Sequence, residues 1–184
     1  LAARAERIAR PRADLDAEAT ALTVVAAGIG GHRVGLAVDA VAEVLPPGPF
    51  TSLPPLGALV GVRNVRGRPV TLADLGHLLG VDASRPRPER PVVVLDSAHD
   101  STGDSVGLLV DEVEGVASLT RSDVQPPSDG LGDGTPLIGV GPDGLLILDV
   151  RRILDRPDLG TTNGHAAQGG SEMPSDRMTI GREV

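Results

Sequence analysis

The chain has no cysteine and no lysine, and Phe50 is its single aromatic residue. Without cysteine there is no disulfide framework, no thiolate nucleophile and no zinc–thiolate site, so a metal could be held only by histidine and carboxylates. Without lysine, Schiff-base chemistry and the phosphate-cradling P-loop are excluded. An aromatic content of 1% leaves no platform on which nucleic-acid bases could stack. Positive charge is also short: 17 arginines against 25 acidic residues give a formal net charge of -8. That balance opposes nucleic-acid binding, which needs a basic face to displace phosphate counterions. No stretch approaches the roughly 18 continuous apolar residues of a membrane span, and the N-terminus lacks an apolar run with a cleavage site. The expectation is a soluble, unsecreted protein without direct membrane insertion. Leu1 stands where an initiator Met would be expected.

What is present is concentrated in Leu59 to Leu75, LVGVRNVRGRPVTLADL. Leu59, Val60 and Val62 read as a strand, Asn64 to Arg68 as a bend turning at Gly67, and Val70 to Leu72 as a second strand. Asp74 then caps a short helix. The bend projects Arg66 away from the apolar residues that must face a core, which makes Arg66 the leading candidate for function. A degenerate copy follows at Leu137–Val140, Gly144 and Leu146–Val150, with a shorter bend and no arginine. A cleaner repeat relates Val34-Gly35-Leu36-Ala37-Val38-Asp39-Ala40-Val41 to Val106-Gly107-Leu108-Leu109-Val110-Asp111-Glu112-Val113. The offset is 72 positions, the difference between 35 and 107, and it also relates Val44 to Val116 and Pro54-Pro55 to Pro126-Pro127. The core therefore reads as two similar halves in tandem.

In chain order, residues 1–20 favour a helical N-terminal arm, interrupted at Pro11. Residues 21–156 form the folded domain, with lobes at about 21–80 and 90–156 and a proline-bearing polar linker between them. Leu22–Ile29 and Val34–Val38 are strands joined at Gly30-Gly31, and Val38–Val44 continues the sheet. Pro46–Pro55 reads as a connector. About ten short strands with stub helices point to an antiparallel all-β architecture. The fold is expected to end near Asp155 and Arg156 ahead of Pro157, leaving 157–184, rich in Gly, Ser, Thr and Asn, as a disordered tail.

The parts needed for catalysis are missing. His32, His77, His99 and His165 are not at metal-ligand spacing, the loop Gly130–Thr135 lacks the P-loop ending, and no serine sits in a G-x-S-x-G elbow. Asp74 and Asp149 each precede a stub helix, as helix caps should. Asp39 and Asp111 recur together, which is more economically structural than catalytic, although a small hydrolase using one of them is the alternative from another class. No cofactor is implied. Glu43 and Arg66 remain, as surface charges, as a structural pair, or as a binding site.

The series Val38-Asp39-Ala40-Val41-Ala42-Glu43-Val44, Leu53-Pro54, Val60-Gly61-Val62-Arg63-Asn64-Val65-Arg66-Gly67, Pro69-Val70 and Asp74-Leu75 resembles the CheW-like domain of bacterial chemotaxis. Gly107-Leu108-Leu109-Val110-Asp111 and Ile138-Gly139-Val140 extend the resemblance to roughly Leu22–Leu154. It implies two tandem five-stranded SH3-like barrels with short helices, and a non-catalytic scaffold coupling chemoreceptors to the histidine kinase CheA. The implied partners are the kinase's regulatory domain and the receptors' cytoplasmic tip, with the protein cytoplasmic and recruited to membrane receptor arrays. The implied receptor contact comprises Val41, Glu43, Asn64, Arg66 and Gly67. The kinase contact implied is apolar barrel ends. The variant reading is the CheW-like regulatory portion of a larger kinase or adaptor. The scarcity of aromatics and the run Pro46–Pro49 depart from the commoner pattern near Glu43.

Overall fold

The computed structural model describes residues 21–96, 105–127 and 135–159. The expected helical arm, the loops 97–104 and 128–134, and residues 160–184 lie outside the described residues. In order come β1 (Ala21–Ile29), β2 (His32–Ala37), β3 (Val41–Leu45), β4 (Thr51–Leu56), β5 (Leu59–Val65) and β6 (Arg68–Asp74). Helix α1 (Leu75–Leu79) closes the first half. The second half holds β7 (Val92–Leu95), β8 (Ser105–Leu109), β9 (Glu112–Thr120), β10 (Leu137–Val140), β11 (Leu146–Leu148) and α2 (Val150–Leu154).

Local chemistry explains these boundaries. Gly30 and Gly31, at φ 57° and 79°, form the two-residue turn between β1 and β2. Asp74 accepts from the Gly76 amide at 3.1 Å, and Asp149 accepts from Arg151 and Arg152 at 3.0 and 3.2 Å, so both aspartates cap helices as their positions predict. Gly80 ends α1 in the left-handed conformation at φ 70°. Two readings change. Val38–Ala40 is a 3-10 turn that breaks the sheet between β2 and β3. Within the expected connector, Thr51–Leu56 is a strand, and β4 tolerates Pro54 and Pro55 because it lies at a sheet edge.

The protein is all-β, as its pattern of short strands predicts, with a five-stranded sheet in the order β10-β11-β2-β1-β9 and a six-stranded sheet in the order β3-β7-β8-β6-β5-β4. The sheets do not follow the expected lobes at 21–80 and 90–156. Hairpin β1–β2 of the first half pairs with β9 and β11 of the second, and hairpin β7–β8 of the second pairs with β3 and β6 of the first. The halves have exchanged hairpins. Two of the junctions are parallel, β2 with β11 and β6 with β8, where an antiparallel architecture was expected. The cause lies in the short turns Val38–Ala40 and Val110-Asp111, which carry the chain from one sheet into the other in place of a hairpin.

Register shows that the exchange is symmetric. Gly35 pairs with Ile147 and Gly107 with Leu72, while Val25 pairs with Val116 and Val93 with Val44. Gly35 thus occupies in one sheet the place Gly107 occupies in the other, and Asp149 follows β11 as Asp74 ends β6. The sixth strand has a simple origin: β4's counterpart is reduced to a bridge between Gln125 and Val140. Reciprocal 2.8 Å hydrogen bonds between Gln125 and Val140 bring the chain beyond β9 back to β10, closing the five-stranded sheet on itself.

Each sheet has its own interior, Val60, Val70, Leu72, Val92, Val94 and Leu109 in one and Val24, Ala26, Leu145 and Ile147 in the other. A larger core lies between them, with Ile29, Leu36, Leu75, Val93, Leu108, Val110, Leu148 and Ile153 contributed by both halves. The fold does not stop at Arg156. Pro157–Leu159 forms a 3-10 turn, Leu159 is buried in the shared core, and the Ala58 amide donates to the Asp158 carbonyl at 3.1 Å. Proline's fixed φ suits the first position of such a turn, so Pro157 starts it instead of ending the packing.

Candidate partner-binding site

In the β5–β6 hairpin, Val65 pairs with Arg68, which leaves Arg66 and Gly67 as a two-residue loop. Both have positive φ, 52° and 85°, the signature of a type I′ turn. Glycine takes that conformation freely, whereas arginine brings its Cβ close to backbone oxygen at a cost of about 1–2 kcal/mol. Among the described non-glycine residues only Arg66 and Asp143 have positive φ. The Asn64 side-chain oxygen accepts from the Gly67 amide at 2.8 Å and fixes the turn.

The Arg66 guanidinium lies 3.1 Å from the Glu43 carboxylate, with the two side chains 83% and 28% exposed. In hydrogen-bonding order β3 is separated from β5 and β6 by β7 and β8 on one side and is the far edge from β4 on the other. The ion pair is therefore not between neighbouring strands. It spans the seam where the six-stranded sheet curls back on itself, as does the bond from Arg63 Nη1 to the Pro46 carbonyl at 2.9 Å. Phe50 packs over the same seam: a Cβ on Gly61 would lie 2.4 Å from its ring.

Four of the five expected site residues, Glu43, Asn64, Arg66 and Gly67, are joined by this hydrogen bond, ion pair and turn. Val41 shares β3 with Glu43 but is half-buried and packs on the shared core, with an irregularity in register between them. Arg63 was not singled out as a site residue, yet its bond to Pro46 buttresses the strand that carries the turn. The patch presents arginine, a side-chain amide and a partly paired carboxylate. These suit recognition of another polar surface.

The alternative catalytic residues do not assemble. Asp39 is exposed, while Asp111 is buried and accepts from the Gly30, Ser84 and Arg85 amides at 2.8, 2.7 and 3.3 Å. Burial opposes ionisation of Asp111, but the Ser84 and Gly30 amides together with Arg90 outweigh it and hold its pKa below the usual carboxylate value. No group of three or more His, Cys, Asp or Glu residues able to hold a metal occurs among the described residues. No helix among them is long and apolar enough to cross a membrane.

Arg90, at the end of the stretch read as a polar linker, is what sequence reasoning missed. It is 1% exposed and donates to both oxygens of Asp74 at 3.0 Å and to the Leu109 carbonyl at 2.7 Å. Burial works against the Asp74 charge too, and Arg90 together with Arg87 reverses the effect, so its pKa is lowered. The available signal was an arginine abutting the fully apolar strand Val92–Leu95 in a chain with recurring aspartates that needed a partner.

The sequence matches the model of the CheW-like domain over residues 23–158. The chain belongs to the CheW-like domain family. It is 31% identical over 107 residues to "Chemotaxis protein CheW" of Rhizobium meliloti, a match covering 58% of this chain and 66% of that protein. It is 36% identical over 103 residues to "Protein PilI" of Pseudomonas aeruginosa, covering 54% of this chain and 56% of that protein. The matches thus span about two thirds or less of these relatives' own lengths. In fold the CheW-like domain is similar to the scaffolding protein TtCheW of Thermoanaerobacter tengcongensis, with TM-score 0.58 and 22% identity over 69% of this chain and 86% of that one.

Proposed function

We propose that this CheW-like protein is a non-catalytic scaffold that couples the cytoplasmic tip of chemoreceptors to the regulatory domain of the histidine kinase CheA. The observation that carries the proposal is Arg66, a solvent-exposed arginine held in a left-handed turn and aimed across the seam at Glu43. A conformation costing free energy, with an exposed pair that returns only about 0–1 kcal/mol, is better explained by a contact made elsewhere than by folding. Glu43, Asn64, Arg66 and Gly67, with Val41 behind them, form the receptor contact. Val116, Leu56 and Ile138, exposed at 69%, 62% and 51%, supply apolar surface for the kinase. Membership of the CheW-like family, and the likeness to a scaffolding protein in fold, support the scaffold role.

The test is binding of the whole chain, separately, to a receptor cytoplasmic fragment and to the kinase regulatory domain. Replacing Arg66 by Ala is expected to weaken the receptor interaction at least about tenfold and leave the kinase interaction unchanged, since truncating an interfacial arginine costs roughly 2 kcal/mol or more. Equal loss towards both partners, or no binding by the unaltered chain, would sink the assignment.

A further inference from the structure

The repeat makes the molecule its own control. Two turns carry the chain between sheets, Val38–Ala40 from β2 into β3 and Val110-Asp111 from β8 into β9. The 72-residue offset makes Asp39 and Asp111 equivalent, and the register makes Asp149 the counterpart of Asp74. The equivalent positions are treated differently. Asp39 is exposed. Asp149 is half-buried, and its ion-pair partner is Arg152 in its own helix at 3.6 Å. Asp74 and Asp111 are buried, at 7% and 6% exposure, and share Arg90.

The groups meeting at Arg90 come from both sheets. Asp74 ends β6 and Leu109 ends β8, both in the six-stranded sheet, and the guanidinium holds them together. Its Nε lies 3.5 Å from Asp111, which in turn holds Gly30 at the tip of the β1–β2 hairpin of the five-stranded sheet, along with Ser84 and Arg85. The same tip is in close approach to the chain after α1: a Cβ on Gly30 would lie 2.5 Å from the Asp82 carbonyl. Arg90 Nε makes no hydrogen bond despite being buried, so its hold on Asp111 is electrostatic and longer than a hydrogen bond. A lost partner in such a buried network leaves an uncompensated charge, so the cluster is held together or opens as a unit.

We infer that Arg90 is a positioning residue that clamps one of the two inter-sheet turns and thereby fixes the angle between the sheets, while among the described residues no buried arginine joins the equivalent turn at Val38–Ala40. A scaffold that engages two partners on different faces needs those faces at a set angle, and this use of the clamp rests on the scaffold reading above. The angle itself is measurable without any partner, so the two readings fail separately.

The absence of native cysteine allows site-specific spin labels at Ser52 on β4 and Ser118 on β9, both exposed and in different sheets. The unaltered chain is expected to give one narrow distance distribution. Arg90→Lys keeps the charge but loses the planar fork, and is expected to broaden the distribution at least about twofold in width, whereas Asp39→Asn at the equivalent turn, where the aspartate is exposed, leaves it unchanged. A distribution that stays narrow in Arg90→Lys, with only the melting temperature lowered, overturns the proposal and makes Arg90 a stability residue. If Arg90→Lys does not fold, hydrogen exchange of the unaltered chain decides. The Gly30, Ser84 and Arg85 amides, all bonded to Asp111, are expected to show protection factors within about tenfold of one another because they open together. A wider spread overturns the clamp.

Discussion

Arg66→Asn separates the strain of the turn from the use of the side chain. Arg66 sits at φ 52° with Gly67 at 85° behind it. Asparagine tolerates the left-handed region at the first position of a type I′ turn, so most of the roughly 1–2 kcal/mol associated with arginine there is recovered. Against it stands loss of the Glu43 pair, which at 83% exposure of the arginine contributes at the low end of about 0–1 kcal/mol. The balance favours the variant by about 1 kcal/mol, a rise in melting temperature of roughly 2–4 °C for a domain of this size. In binding the sign reverses, because asparagine cannot offer the charged fork and the receptor interaction falls at least about tenfold. Thermal melts followed by calorimetric titration with receptor and kinase fragments read both effects on one sample. A variant that melts several degrees lower refutes the reasoning, since Arg66 would then be held by the fold and not spared by it.

Gly35 and Gly107 occupy equivalent places, but an added Cβ would meet Ile147 and Val24 at 3.1 and 3.2 Å in the first and Val92 at 2.6 Å in the second. Gly107→Ala is therefore expected to destabilise by about 1–3 kcal/mol and Gly35→Ala by less, and the reverse order in urea midpoints would refute the closer packing at Gly107. Leu159→Ala should cost roughly 2–5 kcal/mol because the side chain fills the shared core, whereas deleting 161–184 should leave the melting temperature nearly unchanged; a fall of more than a few degrees on deletion would show that the tail docks. Asp74 and Asp111 have lowered pKa values, so the unfolded chain binds protons first as pH falls. Their contribution is complete above the unfolded value of about 4 and is lost as pH drops through their folded values, so the urea midpoint should hold from about pH 7 to 5 and fall steeply below about 4; a flat midpoint down to pH 3 would rule this out.

The sequence made the repeat visible because the same backbone constraints act twice: a glycine where a parallel neighbour approaches, an aspartate where a helix starts, β-branched residues in each interior. The caps and the β1–β2 turn follow from local chemistry, and so does the turn at Gly67. The exchange of hairpins does not. A repeat has the same spacing whether each half folds on itself or lends its hairpin to the other, and only the pairing of Gly35 with Ile147 and of Gly107 with Leu72 distinguishes the two. Non-local pairing of this kind leaves no periodic signal in either strand.

The Glu43–Arg66 pair shows the same boundary from the other side. Their residue types suggested a pair, but a pairing of adjacent strands would have been the wrong geometry, since the contact exists only because the six-stranded sheet curls. Arg90 is the extreme case. In sequence it looks like one more charge in a stretch containing Arg85, Arg87 and Glu89, all exposed, and nothing local separates it from them. What separates it is that hairpin exchange brings the tip at Gly30, the turn at Asp111 and the cap at Asp74 to one place in the interior, where two buried carboxylates require a cation. The requirement is created by the topology, so the residue that meets it can be recognised only once the topology is known.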